Sequence, residues 1–175
     1  MITPEQNIIL AGFSGTGKTV VGKLLAGRLR RRFVDMDETI AERLGESLPG
    51  IFARYGEARY RDEERLLAAE IAEAKGLVVA AGGGAILDDR NYRLLEGSGV
   101  IVALRAAPET IQKRLEGEEP RPLLEAADPL ARIRELKAAR RHAYDRAPYQ
   151  LRTDDLLPAE AVDRIIELIG VTSEE

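Results

Sequence analysis

Apolar residues along this chain follow two alternating patterns. Asn7-Ile-Ile-Leu-Ala11, Leu77-Val-Val-Ala80 and Val100-Ile-Val-Ala-Leu104 are short, nearly continuous apolar runs. Runs of this length predict strands buried on both faces, as in a parallel sheet. Arg32-Phe-Val-Asp35 and Tyr149 to Thr153 complete a set of five strands. Between the runs the apolar spacing changes to three and four. Val20, Val21, Leu24, Leu25 and Leu29 predict a helix after the first strand, and Thr39 to Leu44 predicts a second, closed by Gly45. Ser47 reads as an N-cap, with Pro49 in the first turn and Ile51, Phe52 and Tyr55 on one face; Gly56 ends that helix. A long helix follows from Glu57 to about Lys75, carrying Leu66, Leu67, Ala69 and Ile71, with Gly76 as its stop. Further helices are predicted from Pro108 to Leu115, Leu130 to Arg146 and Pro158 to Ile169, and the terminal Ser173-Glu-Glu reads as frayed.

Strand and helix in alternation predict an α/β fold of three layers, with a five-stranded parallel sheet flanked by helices. In such sheets ligands bind beyond the carboxyl ends of the strands. That rule gathers Gly12–Thr19, Asp35–Asp37 and Gly82–Gly84 at one edge. Glu116 to Pro129 is polar and carries Pro120, Pro122 and Pro129. A connection of that length in a compact domain predicts a lid or binding loop over about 116–129. The 175 residues suit one domain spanning 1–175.

Composition narrows the classes. Apolar residues at 45% and charged residues at 32% fit a globular protein, and no segment reaches the ~20 apolar residues of a membrane span. The chain has no Cys, which excludes disulfides and thiolate metal sites and fits a reducing, cytoplasmic setting. Met1-Ile-Thr-Pro-Glu-Gln lacks the basic and apolar regions of a signal peptide. A net charge of −4 argues against a nucleic-acid partner. Nothing calls for an obligatory protein partner.

Chemistry enters with Gly12-Phe-Ser-Gly-Thr-Gly-Lys-Thr19, which fits G-x-x-x-x-G-K-[ST], the phosphate-binding loop. Glycines let successive backbone N–H groups turn toward phosphate oxygens. Lys18 then reaches the β and γ phosphates of a nucleotide, and Thr19 offers its hydroxyl to Mg²⁺. Asp35 and Asp37 alternate at the end of the second strand, so in extended backbone they point to opposite sides. That predicts two jobs, one toward the metal and one toward an acceptor. Gly82, Gly83 and Gly84 fit a place where a ligand approaches the backbone closely. Arg61 and Glu64 lie three apart on the long helix and can pair. Arg114, Arg121 and Arg140 add positive charge suited to a phosphoryl group or a carboxylate. His142, the sole histidine, sits among arginines and reads as a surface residue.

Together these residues resemble the shikimate kinase family over nearly the whole chain. Gly12–Thr19 matches the family's phosphate loop and Asp35-Met36-Asp37 its D-x-D. Gly56-Glu-Ala-Arg-Tyr-Arg61 matches G-E-x-x-F-R, and Gly82–Gly84 the glycine triplet. Arg121-Pro-Leu-Leu124 matches R-P-L-L, and Arg140 with Tyr144 matches R-x-x-x-Y. The resemblance implies a fold of the nucleoside-monophosphate-kinase type and ATP-dependent phosphorylation of the shikimate 3-hydroxyl. It implies that Gly15, Thr16, Gly17, Lys18, Thr19 and Val20 bind ATP, with Arg114 and Pro158 lining the adenine. Thr19 would ligate Mg²⁺, with Asp35 holding the ion through water. Asp37 would bind shikimate hydroxyls and act as base. Arg61, oriented by Glu64, would hold the shikimate carboxylate with Arg140 and the Gly82–Gly84 segment. Arg121 would swing in with the lid, joining Lys18 and Asp37 in catalysis.

Two departures stand out. Tyr60 replaces the family's Phe, a small change once its hydroxyl finds a partner. After Tyr144, Pro148 and a one-residue shortening precede Pro158 and bear on the adenine contacts. Two alternative readings share the phosphate loop. A same-fold kinase for gluconate has no need of this arginine set, and one for a nucleotide wants an apolar slot for a base. A regulatory ATP-binding module would not need Asp37, Arg61 and Arg140 to converge.

Overall fold

The computed structural model of the chain describes residues 2–171; the frayed end expected at Ser173–Glu175 lies outside them. Five strands form one sheet: β1 (Asn7–Gly12), β2 (Arg32–Asp35), β3 (Leu77–Ala80), β4 (Gly99–Arg105) and β5 (Tyr149–Arg152). Their order is β2-β3-β1-β4-β5, with every pair parallel. Ile8 pairs with Val78 on one side and Val100 on the other, so β1 is the central strand.

Successive residues of the inner strands face opposite layers, as the pleat requires. Ile9, Val79 and Ile101 join a core with Leu67, Ala68 and Ile71 of α3 (Leu48–Glu73) and Tyr92 and Leu95 of α4 (Asp89–Ser98). Ile8, Val78 and Val102 face the other way, onto Val21 and Leu25 of α1 (Lys18–Arg28) and Val162 and Ile165 of α7 (Pro158–Ile169). Three layers result. The remaining helices are α2 (Met36–Leu44), α5 (Pro108–Leu115) and α6 (Pro129–Asp145).

Four differences from the sequence reading have physical causes. First, α4 was not anticipated. Asp88 caps it by accepting from the Arg90 backbone N–H at 2.8 Å, and only Asn91, Tyr92 and Leu95 are buried, so its apolar signal is thin. It supplies part of the crossover that parallel strands need. Second, α2 begins at Met36, not Thr39, because Asp35 is its N-cap and accepts from the Glu38 N–H at 3.1 Å. Asp37 therefore projects from a first helical turn. The extended alternation invoked for Asp35 and Asp37 does not apply.

Third, α1 buries Val21, Gly22, Leu25 and Ala26, leaving Val20 and Leu24 at 54% and 47% exposure. Gly22 turns the buried face: a Cβ there would lie 2.5 Å from the Phe33 ring, so Phe33 packs where a side chain would stand. Fourth, Tyr55, Leu66 and Ala69 are exposed, and the buried stripe of α3 runs instead through Tyr60, Glu64, Leu67, Ala68 and Ile71. Gly56, at φ 82° and ψ 168°, kinks α3 where the sequence predicted one helix to end and another to begin. The segment between α5 and α6 holds one short 3₁₀ turn, Pro122–Leu124.

Candidate active site

The loop after β1 wraps around the N-terminus of α1. Gly12, Gly15 and Gly17 have φ of 138°, 77° and 100°, values that L side chains rarely adopt. Thr16 is buried; its hydroxyl donates to the Phe13 carbonyl at 2.8 Å, and its own carbonyl accepts from the Thr153 hydroxyl at 2.9 Å. Arg114 donates to the Thr153 hydroxyl at 2.9 Å and the Gly15 carbonyl at 3.3 Å. It braces the loop against the end of β5. Lys18 Nζ donates back to the Gly12 and Phe13 carbonyls at 2.7 and 2.9 Å. Burial pulls its pKa down to about 8, while Asp37 and Asp35 act the other way and Arg121 and Arg140 add to the fall. A cation so poorly hydrated gains strongly from an arriving phosphate.

Thr19 donates its hydroxyl to Asp35 Oδ2 at 2.6 Å. Among the described residues no group of three or more His, Cys, Asp or Glu could hold a metal. One hydroxyl and one carboxylate suit Mg²⁺, which keeps several waters and binds mainly through phosphate oxygens. The donor set therefore fits an ion that arrives with a nucleotide.

On the other side of Asp37, the buried Glu64 accepts from Arg61 at 2.8 Å, and Arg61 also reaches Glu57 at 3.3 Å. Burial pushes the Glu64 carboxyl above its ordinary range, and Arg61 opposes that rise. The Arg61 guanidinium lies so close over Gly84 that a Cβ there would meet Nη2 at 2.8 Å. Arg140 lies over the Phe13 ring, 5.6 Å from its centroid, and donates to the Gly83 carbonyl at 3.4 Å. Tyr144 also donates to that carbonyl. Two arginines from different helices thus flank Gly83 and Gly84.

Two cavities meet here. One is lined by Phe13, Asp37, Arg61, Gly83, Gly84 and Arg140, with Arg121 to Leu124 along one side. The other, of about 390 Å³, is lined by Gly15, Gly17, Lys18, Thr19, Val20 and Asp35. Ser14, Leu48, Asp37, Gly83 and Arg121 line both. A phosphate-binding compartment and an arginine-walled compartment therefore share a boundary that carries one carboxylate and one guanidinium.

A model of the shikimate kinase family matches residues 14–170. The chain is 43% identical to the shikimate kinase of Pelotomaculum thermopropionicum over 164 residues, 94% of this chain and 95% of that protein. It is 43% identical to that of Thermodesulfovibrio yellowstonii over 162 residues, covering 93% and 94%. The chain belongs to the shikimate kinase family. Among solved structures it is similar to the shikimate kinase from Acinetobacter baumannii in complex with shikimate, at TM-score 0.90 and 35% identity, covering 94% of this chain and 93% of that one.

Not every residue expected from the family pattern lines a compartment. Pro158 opens α7 and borders neither, and Arg114 bonds the loop's backbone and Thr153. Thr16 is buried inside the loop, and Gly82 lies behind Asp37. His142 is exposed, as expected. Ser14 and Phe13, both within the phosphate loop, and Leu136 line the site without a sequence signal of their own. The sequence reading also did not assign Leu48 and Phe52, which wall the arginine compartment. Their only sequence signal is the apolar face of the first turns of α3, which looks like ordinary core.

Proposed function

We propose that this chain transfers the γ-phosphoryl group of ATP to the 3-hydroxyl of shikimate, giving shikimate 3-phosphate and ADP. The observation that carries the reading is the shared boundary at Asp37 and Arg121 between the two compartments. Phosphoryl transfer requires donor and acceptor in line, with charge neutralised around the moving group. Lys18 binds the β and γ phosphates beside Thr19 and Val20. Arg61 and Arg140 hold the shikimate carboxylate above Gly83 and Gly84, and Glu64 orients Arg61. Asp37 takes the proton of the attacking hydroxyl. Arg121 meets the γ-phosphate when residues 116–129 close as a lid over the single domain, excluding water as a competing acceptor.

Thr19, directly, and Asp35, through water, would hold Mg²⁺, a reading supported by their 2.6 Å contact. When bound, Mg²⁺ neutralises charge on the β- and γ-phosphate oxygens. No helix of the described residues is long and apolar enough to cross a membrane, and the absence of Cys supports a reducing cytoplasmic setting. An ADP-release assay across shikimate, gluconate and nucleoside monophosphates tests the reading. Saturable, Mg²⁺-dependent release with shikimate alone is expected; equal release without an acceptor, or preference for a nucleotide, overturns it.

A further inference from the structure

Asp37 meets a second partner besides Arg121. The Tyr60 hydroxyl donates to Asp37 Oδ1, while Asp37 Oδ2 lies 3.8 Å from Arg121 Nη1. The two carboxylate oxygens thus meet different partners, Tyr60 in the wall of the arginine compartment and Arg121 at its boundary. We propose that Tyr60 is a positioning residue for Asp37, its hydroxyl fixing Oδ1 so that Oδ2 is the oxygen presented to the acceptor hydroxyl. The proposal rests on the reading of Asp37 as the base of shikimate phosphorylation.

Why such a device is useful follows from the side chain itself. The backbone of Asp37 is fixed in the first turn of α2, but the terminal torsion of an aspartate is broad and nearly two-fold. Unrestrained, both oxygens can turn toward Arg121, whose planar fork suits a bidentate pair. A base held in that pair is poorly placed for a substrate hydroxyl. Tyr60 prevents it by occupying one of the two oxygens.

Tyr60 is well fixed for the task. It is buried on the inner stripe of α3, its ring 5.2 Å from that of Phe52, with the Arg61 guanidinium 5.2 Å from its centroid. Burial and the neighbouring Asp37 charge keep the phenol protonated. Its single proton has two possible takers. Glu64 Oε2 comes to the same spot, and it is buried with no hydrogen-bond partner. Glu64 Oε2 is within reach of the hydroxyl, but the hydrogen bond runs to Asp37 Oδ1. A Cβ on Gly82 would lie 2.8 Å from Glu64 Oε2, 2.9 Å from the Tyr60 hydroxyl and 3.0 Å from Asp37 Oδ1. Gly82 thus leaves room for this convergence.

Tyr60→Phe keeps the ring and removes only the hydroxyl. Because Tyr60 acts through Asp37 and not on the substrate, only part of the roughly ten- to hundredfold worth of a hydrogen bond to a charged group should appear, lowering kcat with shikimate about five- to twentyfold. The KM for ATP should stay within about twofold, and the thermal midpoint should fall by no more than about a few degrees, because the packing is unchanged and only one hydrogen bond is lost. The same substitution in an Asp37→Asn background, followed by single-turnover transfer of labelled phosphate, should change the rate less than about twofold. Tyr60 would then have no base left to position. A kcat for Tyr60→Phe within twofold of the parent overturns the proposal, and so does an undiminished effect in the Asp37→Asn background. A parent without shikimate-dependent turnover would instead overturn the functional reading, and this proposal with it.

Discussion

Asp37 Oδ2 and Arg121 Nη1 stand 3.8 Å apart across the boundary between the two compartments, one from the first turn of α2 and the other from the segment before the 3₁₀ turn at Pro122. The separation is that of an ion pair without a hydrogen bond. Both side chains are partly open to solvent, at 27% and 33% exposure, so the contact is worth only about 0–1 kcal/mol. Substrates can displace it at little cost. In the proposed reaction the same two groups face a hydroxyl that loses a proton and a phosphoryl group that changes hands.

Asp37→Asn retains shape and hydrogen-bonding capacity but removes the proton acceptor. Turnover should fall by ~10²–10⁴, the range for a positioned acid–base group. ATP affinity should be nearly unchanged, because the phosphate contacts run through Lys18 and the loop. Steady-state kinetics with a separate titration of ATP checks both; turnover within threefold of the parent would make Asp37 a bystander.

Arg121→Ala should act on kcat more than on KM for shikimate. Interactions made more strongly in the transition state raise turnover without tightening the ground-state complex. With Lys18 and Mg²⁺ sharing the charge in the proposed site, the expected loss is on the order of 10²–10³ in kcat, somewhat less than a full arginine finger. A large rise in KM with kcat intact would place Arg121 in ground-state binding.

Arg61→Lys and Arg140→Lys keep the charge and lose the planar fork. Arg61 also loses its ordered contact with Glu64, and Arg140 its stacking over Phe13. Shikimate affinity should weaken by at least about tenfold in each, as expected for a lost charge-assisted hydrogen bond, with ATP affinity spared. Isothermal titration separates the two ligands. Unchanged shikimate affinity in both variants would reduce these arginines to surface charges.

Much of this organisation is legible in the residues. Apolar runs mark the strands because both sheet faces are covered, and the phosphate loop is local in sequence, so its spacing survives as a motif. What escaped is non-local or carried by small residues. The direction of α1 depends on Gly22 making room for Phe33, a contact between separate elements. The helix α4 has few apolar positions, and the N-cap role of Asp35 competes with its apparent place in a strand. Arg114 braces the loop because it meets Thr153, thirty-nine positions away. The polar residues Tyr60 and Glu64 fall on the buried stripe of α3, and only the fold reveals that both point at Gly82.

Glu64→Gln tests the balance between stability and function at that stripe. Burial raises the Glu64 carboxyl above its reference value of 4.5, with Arg61 opposing. A carboxyl whose pKa is raised by folding binds more protons in the native state than in the unfolded one between those two values. Its stabilising contribution is therefore present below the unfolded pKa and lost as pH rises through the folded pKa. Gln carries no such dependence. The stability of Glu64→Gln relative to the parent should accordingly rise between about pH 4 and pH 7, read from urea denaturation at both values. Shikimate affinity should move in the opposite sense at pH 7, because a neutral amide holds Arg61 less firmly than a carboxylate at 2.8 Å. A stability difference that does not change with pH would mean that Glu64 is ordinarily ionised and fully compensated by Arg61. Unchanged shikimate affinity would mean that Arg61 is positioned by Glu57 and the packing around Gly84 alone.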